Sequence, residues 1–83
     1  VIITNPTHIA VALKYDANMI SPQLVAKGAG VIAEKIKAIA RENRVPIVEN
    51  KPLARTIFKT MKLGQMIPRE LFTAVAKVLS YVY

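Results

Sequence analysis

The chain has no cysteine, no tryptophan and a single histidine, His8, among its 83 residues. Without cysteine there is neither a disulfide framework nor a thiol nucleophile, and one histidine cannot complete the Cys–His sets that hold structural zinc. No metal and no cofactor is expected. Acidic residues are scarce as well: five Asp plus Glu face twelve Lys plus Arg, giving a formal charge of +7. That surplus favours anionic partners such as nucleic acid, lipid headgroups or an acidic protein surface. Long apolar runs are missing, since no stretch approaches the roughly 18 to 20 residues that span a bilayer, and the apolar start at residues 1–3 is too short for a signal sequence. Beginning on a strand-like run rather than on Met, the chain reads as an excised piece of something longer.

Apolar residues make up 53% of the chain and charged residues 20%, enough for one packed core without staples. A chain of this length leaves no room for a second domain. Residues 1–4 are β-rich and stop at Asn5-Pro6, a turn pair. Beyond it Ile9, Val11, Leu13 and Tyr15 alternate with Ala10, Ala12 and Lys14, the period of a strand with one bulky face. A loop over 16–23, rich in Asp, Asn, Ser and Pro, leads to a short strand at 24–27 closed by Gly28 and Gly30.

From 31 to 43 the period becomes helical, with Ile32, Ile36 and Ile39 as the core stripe and Glu34, Lys35, Lys37, Arg41 and Glu42 outward. A fourth strand at 45–49 carries Pro46, which suits an edge or a strand start. Strand, crossover helix and strand then resemble a βαβ unit. Pro52 opens a second helix, with Leu53, Ile57 and Met61 on one face, ended by Gly64. Pro68 opens a third that runs to about Tyr83, with Leu71, Val75, Val78 and Val82 inward. The expected fold is a compact α/β domain over residues 1–83, a mixed four-stranded sheet covered by three to four helices.

Asn5-Pro6-Thr7-His8 is the tetrad with chemistry in it. An Asn side-chain nitrogen can attack its own backbone carbonyl carbon, closing a succinimide and expelling the next residue's nitrogen. Deamidation ordinarily competes through the following backbone nitrogen, but Pro6 has no N–H. Cleavage between Asn5 and Pro6 is left as the main route. A strained turn would twist the tertiary amide and make its nitrogen a better leaving group. His8 is placed to donate a proton to that nitrogen or to orient it, and Thr7 to hold the turn. A rate constant on the order of 10⁻⁴ per second, a barrier of about 23 kcal/mol, is adequate for a cut made once. On the residues alone the same tetrad also fits an inert turn.

The stretch VIITNPTHIAVALKYD resembles the FlhB/YscU family, the export-switch proteins of flagellar and virulence type III secretion. The similarity continues through VAKGAG at 25–30, Val45-Pro46, PLAR at 52–55, and IP followed by AVAKVL at 74–79. The KGAG stretch is closer to the flagellar branch. The resemblance implies a cytoplasmic C-terminal domain of a bacterial inner-membrane protein that cuts itself once, without turnover, the pieces staying associated. By position, Asn5 is the cyclising residue, Pro6 the new N-terminus, and Thr7 and His8 the supporting residues. The implied role is to switch export from rod and hook substrates to filament proteins. The implied partners are export substrates, other export-gate components and a hook-length control protein.

Two further features stand beside that turn. Eight basic residues lie between Lys35 and Lys62 against only Glu42 and Glu49, the pattern of solvated helix faces or of a small nucleic-acid-binding domain. Phe58 alone interleaves aromatically with them and no RNA- or DNA-binding signature accompanies them, so no nucleic acid is expected. The last helix carries a second apolar stripe, Phe72, Ala76, Leu79 and Tyr83. Exposed beside Ile20 and Pro22, Ala76 and Leu79 would form a patch for extended export substrates.

Overall fold

The computed structural model describes residues 1–82, and Tyr83, assigned above to the second stripe and to the end of the last helix, lies outside them. Strands β1 (Ile2–Asn5), β2 (Ile9–Lys14), β3 (Gln23–Ala29) and β4 (Ile47–Glu49) form one mixed sheet in the order β3-β2-β1-β4. Helices α1 (Val31–Glu42), α2 (Lys51–Thr60) and α3 (Phe72–Val82) cover it. β1 runs antiparallel to β2 and parallel to β4, so it is paired on both sides, and β4 with its preceding Pro46 lies at an edge. β3 and β4 run in one direction but are separated by β2 and β1, so the expected βαβ unit spans two intervening strands.

The alternation in β2 decides which helix goes where. Ile3, Val11, Leu13 and Leu24 face α2 and α3, forming the main core with Leu53, Ala54, Ile57, Met61, Val75 and Val78. The other face carries Ala10, with Ala12 and Ile2, and receives α1. β3 keeps its large residue on the first face through a register shift between Ala12 and Leu13: Leu24 pairs with Leu13, whereas Ala26 pairs with Ala12 and Gly28 with Ala10. A bulge at Val25 therefore gathers four small residues, Ala10, Ala12, Ala26 and Gly28, under α1.

That small-residue floor overturns the expected stripe of α1. Ala33 and Ala40 are buried and Ile36 half-buried, whereas Ile32 is 51% and Ile39 59% exposed. Large side chains cannot enter where a helix lies this close to a strand. A Cβ placed on Gly28 would lie 2.7 Å from the Cβ of Ile32 and closer still to its Cγ2. Gly30, at φ 57° and ψ −123°, then turns the chain into α1 through a conformation only glycine adopts readily.

Other boundaries also move. β3 continues through Gly28 to Ala29, and β4 begins at Ile47, because Pro46 offers only its carbonyl, which accepts from Ile2 N–H at 2.9 Å. α2 opens on Asn50, whose side chain accepts from Leu53 N–H, and ends at Thr60 rather than at Gly64. Lys27 Nζ donates to the carbonyls of Phe58 (3.0 Å) and Met61 (2.7 Å), closing that helix end. Gly64 belongs instead to a turn from which residues 64–67 bond to Leu24 and Pro22, shielding the outer edge of β3. Pro68 is extended and precedes a 3₁₀ turn, Arg69–Leu71, so α3 itself starts at Phe72.

Candidate functional site

Asn5 ends β1 and Ile9 begins β2, and the two are paired, so Pro6, Thr7 and His8 form the tip of a hairpin. His8 N–H donates to the Asn5 carbonyl at 2.9 Å, closing a β-turn with Pro6 at its second position. The peptide bonds are trans, and none of the four residues takes a left-handed conformation. The strain expected of this turn therefore has no counterpart in its backbone class. Asn5 and Pro6 are half-buried, Thr7 and His8 exposed.

Around the turn the hydrogen bonds are unevenly shared. Thr7 Oγ1 and His8 Nδ1 are hydrogen-bonded to each other, an exposed contact that orients the imidazole from the neighbouring side chain. Gly30 N–H donates to the His8 carbonyl at 3.1 Å. The Asn5 carboxamide has no hydrogen bond among the described residues, so rotation about its side chain is unopposed by one. Its own carbonyl oxygen is held by the His8 N–H, a donor placed where negative charge would develop if that carbon were attacked.

One contributor was not foreseen. Lys37, assigned to the outward face of α1, is only 12% exposed in its side chain, pairs with Glu34 at 2.7 Å and donates to the Pro6 carbonyl at 3.2 Å. A signal was present: Ala33, Lys37 and Ala40 follow i, i+4, i+7 spacing, so a lysine sits inside the buried alanine stripe.

At the opposite end of β2, about 20 Å away by strand rise, Ile20, Pro22, Ala76 and Leu79 line one groove of about 300 Å³. Tyr15, Phe72 and Val75 complete its walls. Ile20 is 97% exposed at its rim, whereas Pro22 is buried and its carbonyl accepts from Ile67 N–H at 2.8 Å, tying the loop to the lead-in of α3. The basic cluster lies elsewhere. Lys51, Arg55 and Lys59 form an exposed row along α2, while Phe58 is half-buried with the Lys27 ammonium 5.3 Å from its ring centre. Phe58 is thus not presented for base stacking. Among the described residues no helix is long and apolar enough to cross a membrane.

The model of the FlhB HrpN YscU SpaS family matches residues 1–82. The chain belongs to that family. It is 54% identical over 84 residues to the flagellar biosynthetic protein FlhB of Salmonella typhimurium, spanning the whole of this chain but 22% of that protein. The chain thus covers under a quarter of the length of such curated relatives. Its fold matches the crystal structure of the cytoplasmic domain of FlhB from Shewanella putrefaciens with a TM-score of 0.91 and 51% identity, covering 98% of this chain and 68% of the other. An EscU C-terminal domain carrying an Asn-to-Ala mutation matches with a TM-score of 0.93 at 31% identity, covering 99% and 83%. Within the family fold, the KGAG stretch has separate physical duties: Lys27 closes α2, Gly28 admits α1, and Gly30 turns the chain from β3 into α1.

Proposed function

We propose that this domain belongs to a flagellar protein export apparatus, that it cleaves itself once between Asn5 and Pro6, and that the cut regulates which substrates are exported. The observation that carries the reading is the turn itself. Among the described residues the Asn5 carboxamide is engaged in no hydrogen bond, and the Asn5 carbonyl oxygen already accepts the His8 N–H, at a bond whose leaving nitrogen belongs to Pro6.

Asn5 Nδ2 attacks the Asn5 backbone carbonyl carbon, forming a C–N bond and placing charge on the oxygen held by His8 N–H. Collapse breaks the Asn5–Pro6 bond. The proton lost by Nδ2 is balanced by one gained at the Pro6 nitrogen, leaving a C-terminal succinimide that water opens and a free Pro6 amine. His8, oriented by Thr7, is the group nearest in sequence to supply that proton. The event happens once per chain, so this is an intramolecular reaction and not a turnover enzyme.

The groove at Ile20, Pro22, Ala76 and Leu79 takes an extended apolar segment of an export substrate in this reading, supported by its exposed rim and apolar walls. The parent protein is anchored in the bacterial inner membrane, with this domain on the cytoplasmic side. The export-gate components and the hook-length control protein are its partners there. The cut turns export from rod and hook proteins toward filament proteins.

The test is Asn5→Ala, which removes the attacking nitrogen while touching no fully buried side chain. Mass spectrometry of freshly purified wild type should show a fragment beginning at Pro6, and the variant should remain whole and folded. A Pro6 fragment from the variant would refute cyclisation. Normal filament export by cells carrying an uncut variant would refute the regulatory role.

A further inference from the structure

Beyond the proposed chemistry, the elements around the turn, α1 among them, grip its carbonyls one by one. The Asn5 oxygen accepts from His8 N–H, the His8 oxygen from Gly30 N–H, and the Pro6 oxygen from the Lys37 ammonium. The first two bonds are backbone contacts that any hairpin beside a third strand can form. The third is supplied by a side chain, reaches across 31 positions of sequence and is part-buried.

Lys37 is held from two directions. Its stem lies in the alanine stripe that seats α1 on Ala10 and Gly28, and Glu34 one turn earlier pairs with its ammonium at 2.7 Å. A lysine so confined has lost most of its rotamer freedom before it meets the turn. The bond to Pro6 is therefore made by a preorganised donor, and it is charge-assisted. Its position matters chemically. Pro6 contributes the leaving nitrogen, and a residue anchored by its carbonyl cannot rotate away from the Asn5 carbonyl plane while the carboxamide approaches.

We propose that Lys37 is a positioning residue for self-cleavage, fixing Pro6 on α1 so that the Asn5–Pro6 bond is presented to the Asn5 carboxamide. The inference rests on the self-cleavage reading. It also gives the bond a second consequence. Scission leaves a secondary ammonium on Pro6, the residue whose oxygen Lys37 holds, so two positive charges come to lie within about 7 Å of each other. The contact that steadies the turn before the cut opposes it afterwards, and residues 6–8 are released more readily from α1.

The test follows cleavage of newly synthesised chains by denaturing gel and mass spectrometry in wild type, Lys37→Met, Lys37→Arg and Glu34→Gln. In a parallel series on the uncut Asn5→Ala background, hydrogen exchange is read at the His8 amide. Lys37→Met should slow cleavage by about tenfold, the effect of losing one hydrogen bond to a charged group. On the uncut background it should speed His8 exchange by a similar factor. Lys37→Arg should restore both. Glu34→Gln should change either by less than about twofold, because an exposed ion pair contributes little.

Cleavage at the wild-type rate in Lys37→Met overturns the role of Lys37 and leaves the cyclisation reading standing. Equal slowing in Glu34→Gln and Lys37→Met also overturns it, since the effect would then belong to the stability of α1. A wild type that never yields a Pro6 fragment removes the cyclisation reading and this inference together.

Discussion

Gly28→Ala tests the seating of α1, on which the placement of Lys37 depends. The added methyl would meet Ile32 Cγ2, which can rotate aside, and Ile32 Cβ at 2.7 Å, which cannot move without the helix. Reaching the 3.4 Å of ordinary contact requires α1 to lift by about 0.7 Å over β3. Overpacking of this kind costs about 1–3 kcal/mol. Alanine recovers roughly 0.5–1 kcal/mol by restricting the unfolded chain more than glycine does. The net expectation is a loss of about 0–2.5 kcal/mol, centred near 1.3 kcal/mol, which at its centre lowers the melting temperature of a domain this size by roughly 5–10 °C.

Urea unfolding of Gly28→Ala, Ile32→Ala and the double variant separates the terms. Ile32 is half-exposed, so its truncation alone should cost under about 1 kcal/mol. The double variant should recover only part of the Gly28→Ala loss, because the Cβ contact persists when Cγ2 is gone. The same lift draws Lys37 away from Pro6, so exchange at the His8 amide should quicken in Gly28→Ala while Ile57 on the opposite face stays protected. A Gly28→Ala protein as stable as wild type, with His8 exchange unchanged, would refute the close approach of α1 to β3 and the explanation of its alanine stripe.

Two other perturbations have definite outcomes. Lys27→Met leaves the Phe58 and Met61 carbonyls without their donor and should destabilise the fold by about 1.5–3 kcal/mol, with faster exchange in the last turn of α2. Asn50→Ala removes the side-chain cap on Leu53 N–H and should cost about 1 kcal/mol in urea unfolding.

Much of the fold is legible in side-chain alternation, and the failures have a common cause. Ile9, Val11 and Leu13 against Ala10 and Ala12 mark both a strand and its two faces, and the structure uses that asymmetry as written. Reading α1 by its largest residues selects Ile32, Ile36 and Ile39, whereas a helix laid against alanine and glycine buries its small ones. The information lay in the partner strand rather than in the helix. The bulge at Val25 and the pairing of residues 64–67 with β3 depend on contacts tens of residues away, which local periodicity does not encode. The turn was visible because its signal is contained in four consecutive residues, which the structure places at the tip of a hairpin. Lys37 was not, because a charged side chain is assigned outward until its neighbours one turn away are known to be buried.

The interior position of β1 has a mechanical meaning. A pull on its Val1 end acts along the strand axis, against ladders to β2 on one side and β4 on the other. Loaded in that direction the hydrogen bonds are sheared together, whereas peeling an edge strand breaks them one at a time. The proposed scission between Asn5 and Pro6 would sever the covalent path for tension into the rest of the domain and leave a non-covalent grip on Ile2, Ile3 and Thr4, all buried. The cut domain would then act as a force-limited coupling, transmitting a steady pull from upstream but yielding above a threshold set by two short ladders.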